Sequence, residues 1–350
     1  MRPHPPFTYP SKPRPGDRVA VVSPSSGLPG LLPLPFELGL RRLREGFGLV
    51  PVEYPTTRKM GASPRERADD LHAAFADPDI TAVFSSIGGD DQLTVLPHLD
   101  RDLVRAHPKP FFGYSDNTNL HAWLWNSGIV SYHGASVMVE LGRPGALHPV
   151  TAASLRAALF TSGPYELVEA REFNEIDRPW DDPETFLSAP PTRPCQGWTW
   201  RNPDRVVEGV SWGGNIEILS WLLMADREIR EPSAYDGCVF FLETSEEQPR
   251  PADVYGILRS LGEREILRRF PAVLVGRAKG WSLDRRRSPE EADGYRQALR
   301  TAVGRALDEY APDVPAVFDV DLGHTDPQQV IPYGGTVRVD GPARRITVTY

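Results

Sequence analysis

The sequence has little of what marks disulfide-rich, metal-rich or membrane-spanning proteins. Its 350 residues include only two cysteines, Cys195 and Cys238, whose spacing matches no metal-binding motif. Neither a disulfide framework nor a cysteine-based metal site is therefore expected. No apolar run approaches membrane-spanning length, and the first residues lack the apolar region of a signal peptide. We therefore expect a cytoplasmic protein that makes no membrane contact.

The chain also lacks an excess of positive charge. It has 39 Lys and Arg against 47 Asp and Glu, which gives a formal net charge of -8. Binding to a nucleic acid polymer needs a basic surface, so that class of partner is not expected, although one small anionic ligand remains compatible. The length suggests two domains, and the hydrophobic and charged contents, 40% and 25%, are ordinary for a globular protein.

Short apolar segments alternate with amphipathic ones over residues 1–161. The apolar segments at 18–22, 49–53, 82–84, 111–112 and 129–133 predict strands. The amphipathic segments between them predict helices. This alternation is typical of an α/β domain with a mainly parallel sheet, whose ligand edge lies at the carboxyl ends of its strands.

Turn-forming residues follow three of these strands, at 23–27, 87–91 and 113–117. Because carboxyl ends of parallel strands meet at one edge, we expect the three clusters to converge. Ser115 stands between a strand and a helix, whose free N–H groups and positive dipole end favour a developing oxyanion. A nucleophile elbow has this arrangement, although the sequence does not match G-x-S-x-G. Helix capping by Ser115 is the alternative.

The remaining chain divides in two. Residues 162–206 are rich in Pro and acidic residues and predict a long crossover that carries Trp180 and Trp198. Residues 207–350 predict a mixed α/β domain in which Glu243 and His324 each follow a buried strand.

These two residues supply partners that Ser115 would need. His324 would take the hydroxyl proton and return it to the leaving group, while Glu243 would hold the imidazole tautomer. His133, beside another strand end, is a rival base, and Glu243 could instead have a structural role. Backbone N–H groups of Gly89 and Asp116 are candidates for the oxyanion hole.

The segment Gly88–Asp91 admits a second interpretation. Paired glycines let the backbone approach a ligand closely, and a phosphate or a metal is conceivable there. The segment lacks the Lys and Ser/Thr of a P-loop, and the carboxylates of Asp90 and Asp91 would repel a phosphate unless a metal intervened. We expect no metal and no cofactor.

Seven short motifs occur in order along nearly the whole chain. They are PGDRVAVVSPSS at 15–26, RADDLHAAFAD at 67–77, IGGDD at 87–91, GYSD at 113–116, GGN at 213–215, FLE at 241–243 and GH at 323–324. Together they resemble the LD-carboxypeptidase family of serine peptidases. The resemblance implies a catalytic triad of Ser115, Glu243 and His324. It also implies an N-terminal flavodoxin-like domain, a C-terminal swivelling β/α domain, a cleft between them and a homodimer.

The family has two main branches. One removes D-Ala from murein tetrapeptides, and the other resembles the microcin C self-immunity peptidases, which cleave aminoacyl- or peptidyl-nucleotides. The segment Gly88–Asp91 resembles the immunity branch. Aromatic residues of the crossover would suit stacking on an adenine, although they could also only anchor the loop. The predicted substrate-binding residues are Gly88, Asp90, Asp91, Asn215, Trp180 and Trp198.

The sequence therefore predicts a metal-independent serine peptidase or amidase that hydrolyses aminoacyl- or peptidyl-nucleotides through an acyl-enzyme and so confers antibiotic resistance. A murein tetrapeptide LD-carboxypeptidase of peptidoglycan recycling is the alternative. A nucleotide-binding module without catalytic activity is a remote third possibility.

Overall fold

Five parallel strands form the centre of the N-terminal sheet, as the apolar segments predict. The computed structural model describes residues 7–350, so the expectation for the first six residues lies outside the described chain. The strands are β1 (Arg18–Val22), β2 (Val50–Glu53), β3 (Ile80–Ser85), β4 (Phe111–Gly113) and β5 (Ser131–His133). Their order across the sheet is β2-β1-β3-β4-β5. This order is that of flavodoxin-like folds, and it confirms the predicted parallel α/β half.

Five helices connect or follow these strands: α1 (Pro33–Phe47), α2 (Pro64–Ala76), α3 (Arg101–Ala106), α4 (Thr118–Asn126) and α5 (Pro149–Phe160). The start of α2 illustrates how sequence sets their ends. Ser63 accepts a hydrogen bond from the Glu66 N–H, and the Glu66 carboxylate accepts one from the Ser63 N–H, which completes a capping box. The apolar face of α1 is buried against the sheet through Leu40 and Leu43.

The Pro-rich segment 162–206 contains four short strands. They are β6 (Pro164–Glu166), β7 (Glu172–Phe173), β8 (Arg193–Pro194) and β9 (Thr199–Arg201). Two of them, β7 and β8, pair with each other, whereas β6 and β9 form the two edges of the second sheet. The segment is thus joined by backbone hydrogen bonds to the C-terminal half.

The second sheet has eight strands in the order β6-β16-β15-β10-β11-β12-β13-β9. Its further strands are β10 (Val206–Asn215), β11 (Val239–Glu243), β12 (Ala272–Gly276), β13 (Ala316–Val320), β15 (Thr336–Asp340) and β16 (Arg345–Thr349). Strands β10 to β13 are parallel, and the two strands next to them, β15 and β9, are antiparallel to them. Helices α6 (Ile216–Ala225), α7 (Pro251–Glu263) and α8 (Pro289–Tyr310) accompany this sheet, which confirms a second β/α domain.

The end of β10 contains Gly213 and Gly214, although paired glycines ordinarily favour a turn. The strand continues through Gly213 and Gly214 to Asn215, and it pairs with β11 along that length. Gly213 has a φ of 148°, and a Cβ atom there would lie 1.7 Å from the Phe241 carbonyl oxygen. Glycine therefore permits a close backbone approach rather than a turn.

One strand of the C-terminal half joins the N-terminal sheet. This strand, β14 (Ile331–Tyr333), pairs antiparallel to β5, with Ile331 opposite His133. Because the pairing joins the end of the chain to the first sheet, the two halves are connected by backbone hydrogen bonds as well as by side-chain packing.

Candidate active site

Ser115 lies at a strained corner between β4 and α4. Its φ is 61°, in the left-handed region that residues other than glycine rarely adopt. A single 3₁₀ turn, Ser115–Asn117, leads from it into α4. No side-chain cap is formed at the start of this turn or of α4 within the described residues, so the Ser115 hydroxyl is not used as a helix cap. The corner has the geometry of a nucleophile elbow.

The loop after β3 packs directly against this corner. A Cβ atom on Gly88 would lie 2.9 Å from the Ser115 Cβ, 3.1 Å from its Oγ and 3.4 Å from the Asp116 nitrogen. A Cβ atom on Gly89 would lie 3.0 Å from the Ser25 Cβ. The three predicted turn clusters therefore meet at one edge of the sheet.

Gln92, which the motifs do not single out, joins these clusters. Its side-chain amide donates to Asn117 Oδ1 at 2.9 Å and to Ser25 Oγ at 3.3 Å. Its Oε1 accepts from the Leu120 N–H at 3.0 Å. A buried amide with partners on two segments outside its own fixes the relative positions of all three segments.

The Asp116 side chain supports the corner from within. It is fully buried, and its carboxylate accepts from the Gln92 N–H at 2.9 Å and from the Asn119 side-chain amide at 2.8 Å. Burial raises the pKa of this carboxyl to about 6, although the hydrogen bonds from Gln92 and Ser25 oppose the shift. The backbone N–H groups of Gly89 and Asp116 stay predicted oxyanion donors.

Glu243 and His324 meet beside this corner. Glu243 ends β11 and is fully buried, and the His324 Nδ1–H donates to its Oε2 at 2.5 Å. Two glycines make room for the pair. A Cβ atom would lie 2.8 Å from the Glu243 Cβ if placed on Gly276, and 3.0 Å from it if placed on Gly323. An acid that orients an imidazole in this way is what a base needs to hold one tautomer.

The His324 ring also contacts the N-terminal half. It packs edge-on against the Tyr114 ring, with 4.9 Å between the centroids, and Tyr114 directly precedes Ser115. On its other side, Nε2 lies 3.3 Å from Glu246 Oε2. Burial would lower the pKa of His324, but Glu243 and Glu246 outweigh it and raise the pKa to about 9.

A cleft of about 1400 Å³, including space open to solvent, lies over these groups. Ser115 and His324 both line it, as do the predicted substrate-binding residues Gly88, Asp90 and Trp180. Gly89, a predicted oxyanion donor, also lies on its wall. The cleft therefore brings together the candidate nucleophile, the candidate base and one aromatic face.

Three other predicted substrate-binding residues lie outside this lining and have structural partners. Asp91 forms a two-pronged ion pair with the buried Arg67, at 2.6 and 3.0 Å. The Trp198 indole N–H donates to Asp321 at 3.1 Å. Asn215 caps α6 by accepting from the Ile218 N–H at 3.0 Å. Contact of these three residues with a ligand stays a prediction.

The rival base His133 is committed elsewhere. It is fully buried, its Nε2–H donates to the Leu322 carbonyl at 3.0 Å, and burial holds its pKa well below the ordinary value. Over residues 7–350, no group of three or more His, Cys, Asp or Glu side chains is arranged to hold a metal ion. Within the same residues, no helix is both long and apolar enough to cross a membrane.

Family models match most of the chain. The LD-carboxypeptidase N-terminal domain matches residues 19–134, and the LD-carboxypeptidase C-terminal domain matches residues 208–339. The first match contains Ser115, and the second contains both Glu243 and His324.

Individual relatives also align with most of this chain. The carboxypeptidase-named protein SCO6489 of Streptomyces coelicolor is 38% identical over 348 residues, which cover 97% of this chain and 95% of that protein. The murein tetrapeptide carboxypeptidase of Pseudomonas aeruginosa is 28% identical and covers 93% of each chain. The microcin C7 self-immunity protein MccF of Escherichia coli is 25% identical over 87% of this chain and 85% of its own. A solved structure of MccF in complex with glutamyl sulfamoyl guanosine has the same fold, with a TM-score of 0.82 and 23% identity over 99% of each chain.

Proposed function

Because the chain belongs to the LD-carboxypeptidase family and is a serine carboxypeptidase-type hydrolase, we propose that it hydrolyses the amide bond of aminoacyl- or peptidyl-nucleotides with Ser115, His324 and Glu243. The observation that carries this proposal is the 2.5 Å Glu243–His324 pair on the cleft that holds the strained Ser115. This arrangement supports the roles of nucleophile, base and orienting acid in acyl transfer.

The first half of the reaction forms an acyl-enzyme. Ser115 Oγ attacks the scissile carbonyl carbon while His324 Nε2 accepts the hydroxyl proton. Glu243 stabilises the resulting imidazolium, and the backbone N–H groups of Gly89 and Asp116 stabilise the oxyanion. The C–N bond then breaks, and His324 passes its proton to the leaving nitrogen. In the second half, water attacks the acyl carbon while His324 Nε2 accepts a proton from it, and His324 then passes that proton to Ser115 Oγ as the bond between Oγ and the acyl carbon breaks.

Trp180 supports the choice of a nucleotide as the leaving group. It lies on the cleft wall with Ser115 and His324, and an indole face there can stack on a purine. The structure of MccF with glutamyl sulfamoyl guanosine, an aminoacyl-nucleoside analogue, shows that a protein of this fold binds such a compound. Release of the nucleotide would detoxify antibiotics of this chemical class.

The murein tetrapeptide carboxypeptidase of Pseudomonas aeruginosa supports the alternative, in which the leaving group is D-Ala. The decisive experiment supplies purified protein with an aminoacyl sulfamoyl-adenosine and, separately, with a murein tetrapeptide. We expect release of the amino acid from the first compound. Cleavage of the tetrapeptide alone would select the alternative.

The same assay tests the nucleophile. Ser115→Ala should abolish hydrolysis and keep the fold, whereas Ser26→Ala removes another hydroxyl from the same cleft and should keep the activity. Full activity of Ser115→Ala would refute the mechanism. Binding without turnover by the unmodified protein would instead indicate a nucleotide-binding module.

A further inference from the structure

The cleft carries more negative than positive charge. Four carboxylates line it, against two permanently cationic side chains and the imidazole of His324: Asp90, Asp177, Glu246 and Glu247 on one side of the count, Arg178 and Lys279 on the other. The proposed chemistry assigns no role to three of the acids, Asp90, Glu246 and Glu247. Charges on a cleft wall select ligands of complementary charge. The ligand charge that this cleft prefers therefore depends on which of these side chains are already paired within the protein.

Each of the two cations, Arg178 and Lys279, already has a partner within the protein. Lys279 forms an ion pair with Asp177. The Arg178 guanidinium donates to the Ser188 carbonyl at 3.0 Å and to the Ala189 carbonyl at 2.9 Å, and so holds its own loop. Neither cation therefore forms an ion pair with Asp90 or Glu247, although Lys279 is near enough to Glu246 to help lower the pKa of that carboxyl.

Two of these acids have no ion pair with any residue between 7 and 350. They are Asp90 and Glu247, and both are exposed. Arg285 approaches Glu247, but its guanidinium donates to the Glu247 carbonyl oxygen at 3.0 Å and forms no ion pair with the carboxylate. Glu247 is among the residues that line the cleft.

Glu246 is placed differently, because its carboxylate lies 3.3 Å from His324 Nε2. That nitrogen is the atom that must accept the Ser115 proton in the proposed reaction. The Glu246 side chain is 53% exposed, whereas the preceding Ser245 is held by Glu217, which accepts from its N–H at 2.9 Å and its hydroxyl at 2.6 Å. The backbone at Ser245 is thus anchored, whereas the neighbouring Glu246 side chain has room to turn away from His324.

We propose that Glu246 and Glu247, assisted by Asp90, select substrates that carry an ammonium or guanidinium group on the acyl portion. This group draws the Glu246 carboxylate away from His324 Nε2 and so frees the base when a suitable substrate is bound. The inference rests on the proposed function and names the substrate class that the cleft accepts.

Other groups around His324 also affect its protonation state. Glu243 and Lys279 face it from the C-terminal half, and Glu140, Tyr114 and His133 lie beside it from the N-terminal half. The acids Glu243 and Glu140 are both buried, whereas Glu246 has an exposed side chain on the cleft wall. Removing the Glu246 charge should therefore lower the pKa of His324 while leaving its contact with the buried Glu243 intact.

The test uses lysyl, norleucyl and glutamyl sulfamoyl-adenosines, each with a free and with an acetylated α-amino group. We expect kcat/KM to decrease in the order lysyl, norleucyl, glutamyl, by about tenfold for each unit of charge. A loss of about tenfold on acetylation would assign the recognised cation to the α-ammonium group, and dependence on the side chain would assign it to the lysyl group. Equal kcat/KM values for all six compounds would overturn the inference.

Matched variants identify the acids responsible. Glu247→Gln and Glu246→Gln should each reduce the preference for cationic substrates several-fold, and Glu246→Gln should also move the acid limb of the kcat/KM profile to lower pH. Glu45→Gln removes an exposed carboxylate from α1, far from this lining, and should change neither quantity. Unchanged preference in both cleft variants would assign selection to other groups and refute the inference.

Failure of the proposed function can be recognised separately. If none of the sulfamoyl-adenosines is hydrolysed, calorimetry still measures their binding to the Ser115→Ala variant. Tighter binding of the lysyl compound would keep the charge selection while the nucleotide reaction is abandoned. Equal affinities for the lysyl and glutamyl compounds would refute the selection itself.

Discussion

Gly88 and Ser115 approach each other so closely that a Cβ atom on Gly88 would lie 2.9 Å from the Ser115 Cβ. Real Cβ contacts essentially never reach this distance, so any side chain at position 88 must displace the loop or the corner. Ser115 already has a φ of 61°, which only its surroundings can maintain. The glycine and the strained serine therefore form one steric unit.

Gly88→Ala tests this relationship. We expect kcat to fall by about 100-fold, because a displacement of the nucleophile of about 1 Å has that effect on reactions that depend on alignment. Gly46→Ala is the matched control, since a Cβ atom at that helical position would meet nothing within 4 Å. It should keep full activity and stabilise α1 by up to about 1 kcal/mol. Steady-state kinetics and thermal unfolding of both variants test this prediction. A Gly88→Ala enzyme with an unchanged kcat would contradict it.

The convergence of the loop and the corner could be predicted because it depends on local patterns. Apolar segments separated by amphipathic ones place strands in parallel, and parallel strands bring their carboxyl ends together. The contribution of Gln92 could not be predicted in this way. Its partners lie on two distant segments, and only the folded chain brings Ser25, Asn117 and Leu120 within its reach.

Two further features depend on long-range pairing. The short strand β14 shows no pattern that indicates its partner, yet it closes the N-terminal sheet beside β5. Gly213 and Gly214 suggest a turn by composition, but the neighbouring strand β11 keeps them extended. The contact of Glu246 with His324 cannot be predicted from the sequence either, because nothing there distinguishes this loop acid from a solvated one.

Glu243→Gln tests the role of the buried acid. The amide preserves the size of the side chain but removes the charge that fixes the His324 tautomer, so we expect kcat to fall by about 10⁴-fold. Glu217→Gln is the control. Glu217 is a half-buried acid close to this strand end, and desolvation raises its pKa to about 7, so it is partly neutral at pH 7 without substitution. A loss below tenfold is expected for Glu217→Gln, and equal losses in the two variants would show that burial of an acid, rather than orientation of His324, is what matters.

The raised pKa of His324 predicts how activity depends on pH. Glu243 and Glu246 outweigh burial and raise this pKa to about 9, so His324 is protonated at pH 7 in the free enzyme and cannot accept a proton. We therefore expect kcat/KM to rise about tenfold for each pH unit below about 9 and then to level off. A profile that is flat between pH 7 and 9 would contradict the assignment of His324 as the base.

The same shift predicts a change in stability. Between pH 6.5 and 9 the folded state keeps the His324 proton while the unfolded state has lost it, so this contribution to the free energy of unfolding falls as pH rises. Lys12 acts in the opposite sense, because burial lowers its pKa to about 7 and its contribution grows with pH above that value. Comparing the wild type with His324→Gln cancels the Lys12 effect. The difference in unfolding free energy, measured by denaturant titration, should decrease from pH 6.5 to 9, and a constant difference would contradict the prediction.

Trp180 and Trp198 allow the stacking role to be separated from a structural one. Trp180 lies on the cleft wall, whereas Trp198 is buried and donates its indole N–H to Asp321. If a purine stacks on Trp180, Trp180→Ala should weaken binding of a sulfamoyl-adenosine to the Ser115→Ala protein by about 1–3 kcal/mol without lowering the unfolding temperature. Trp198→Phe should do the reverse: it removes a buried hydrogen bond and lowers stability by about 1–3 kcal/mol while the affinity stays the same. Calorimetric binding and thermal unfolding distinguish the two, and an unchanged affinity in Trp180→Ala would show that the base is bound elsewhere in the cleft.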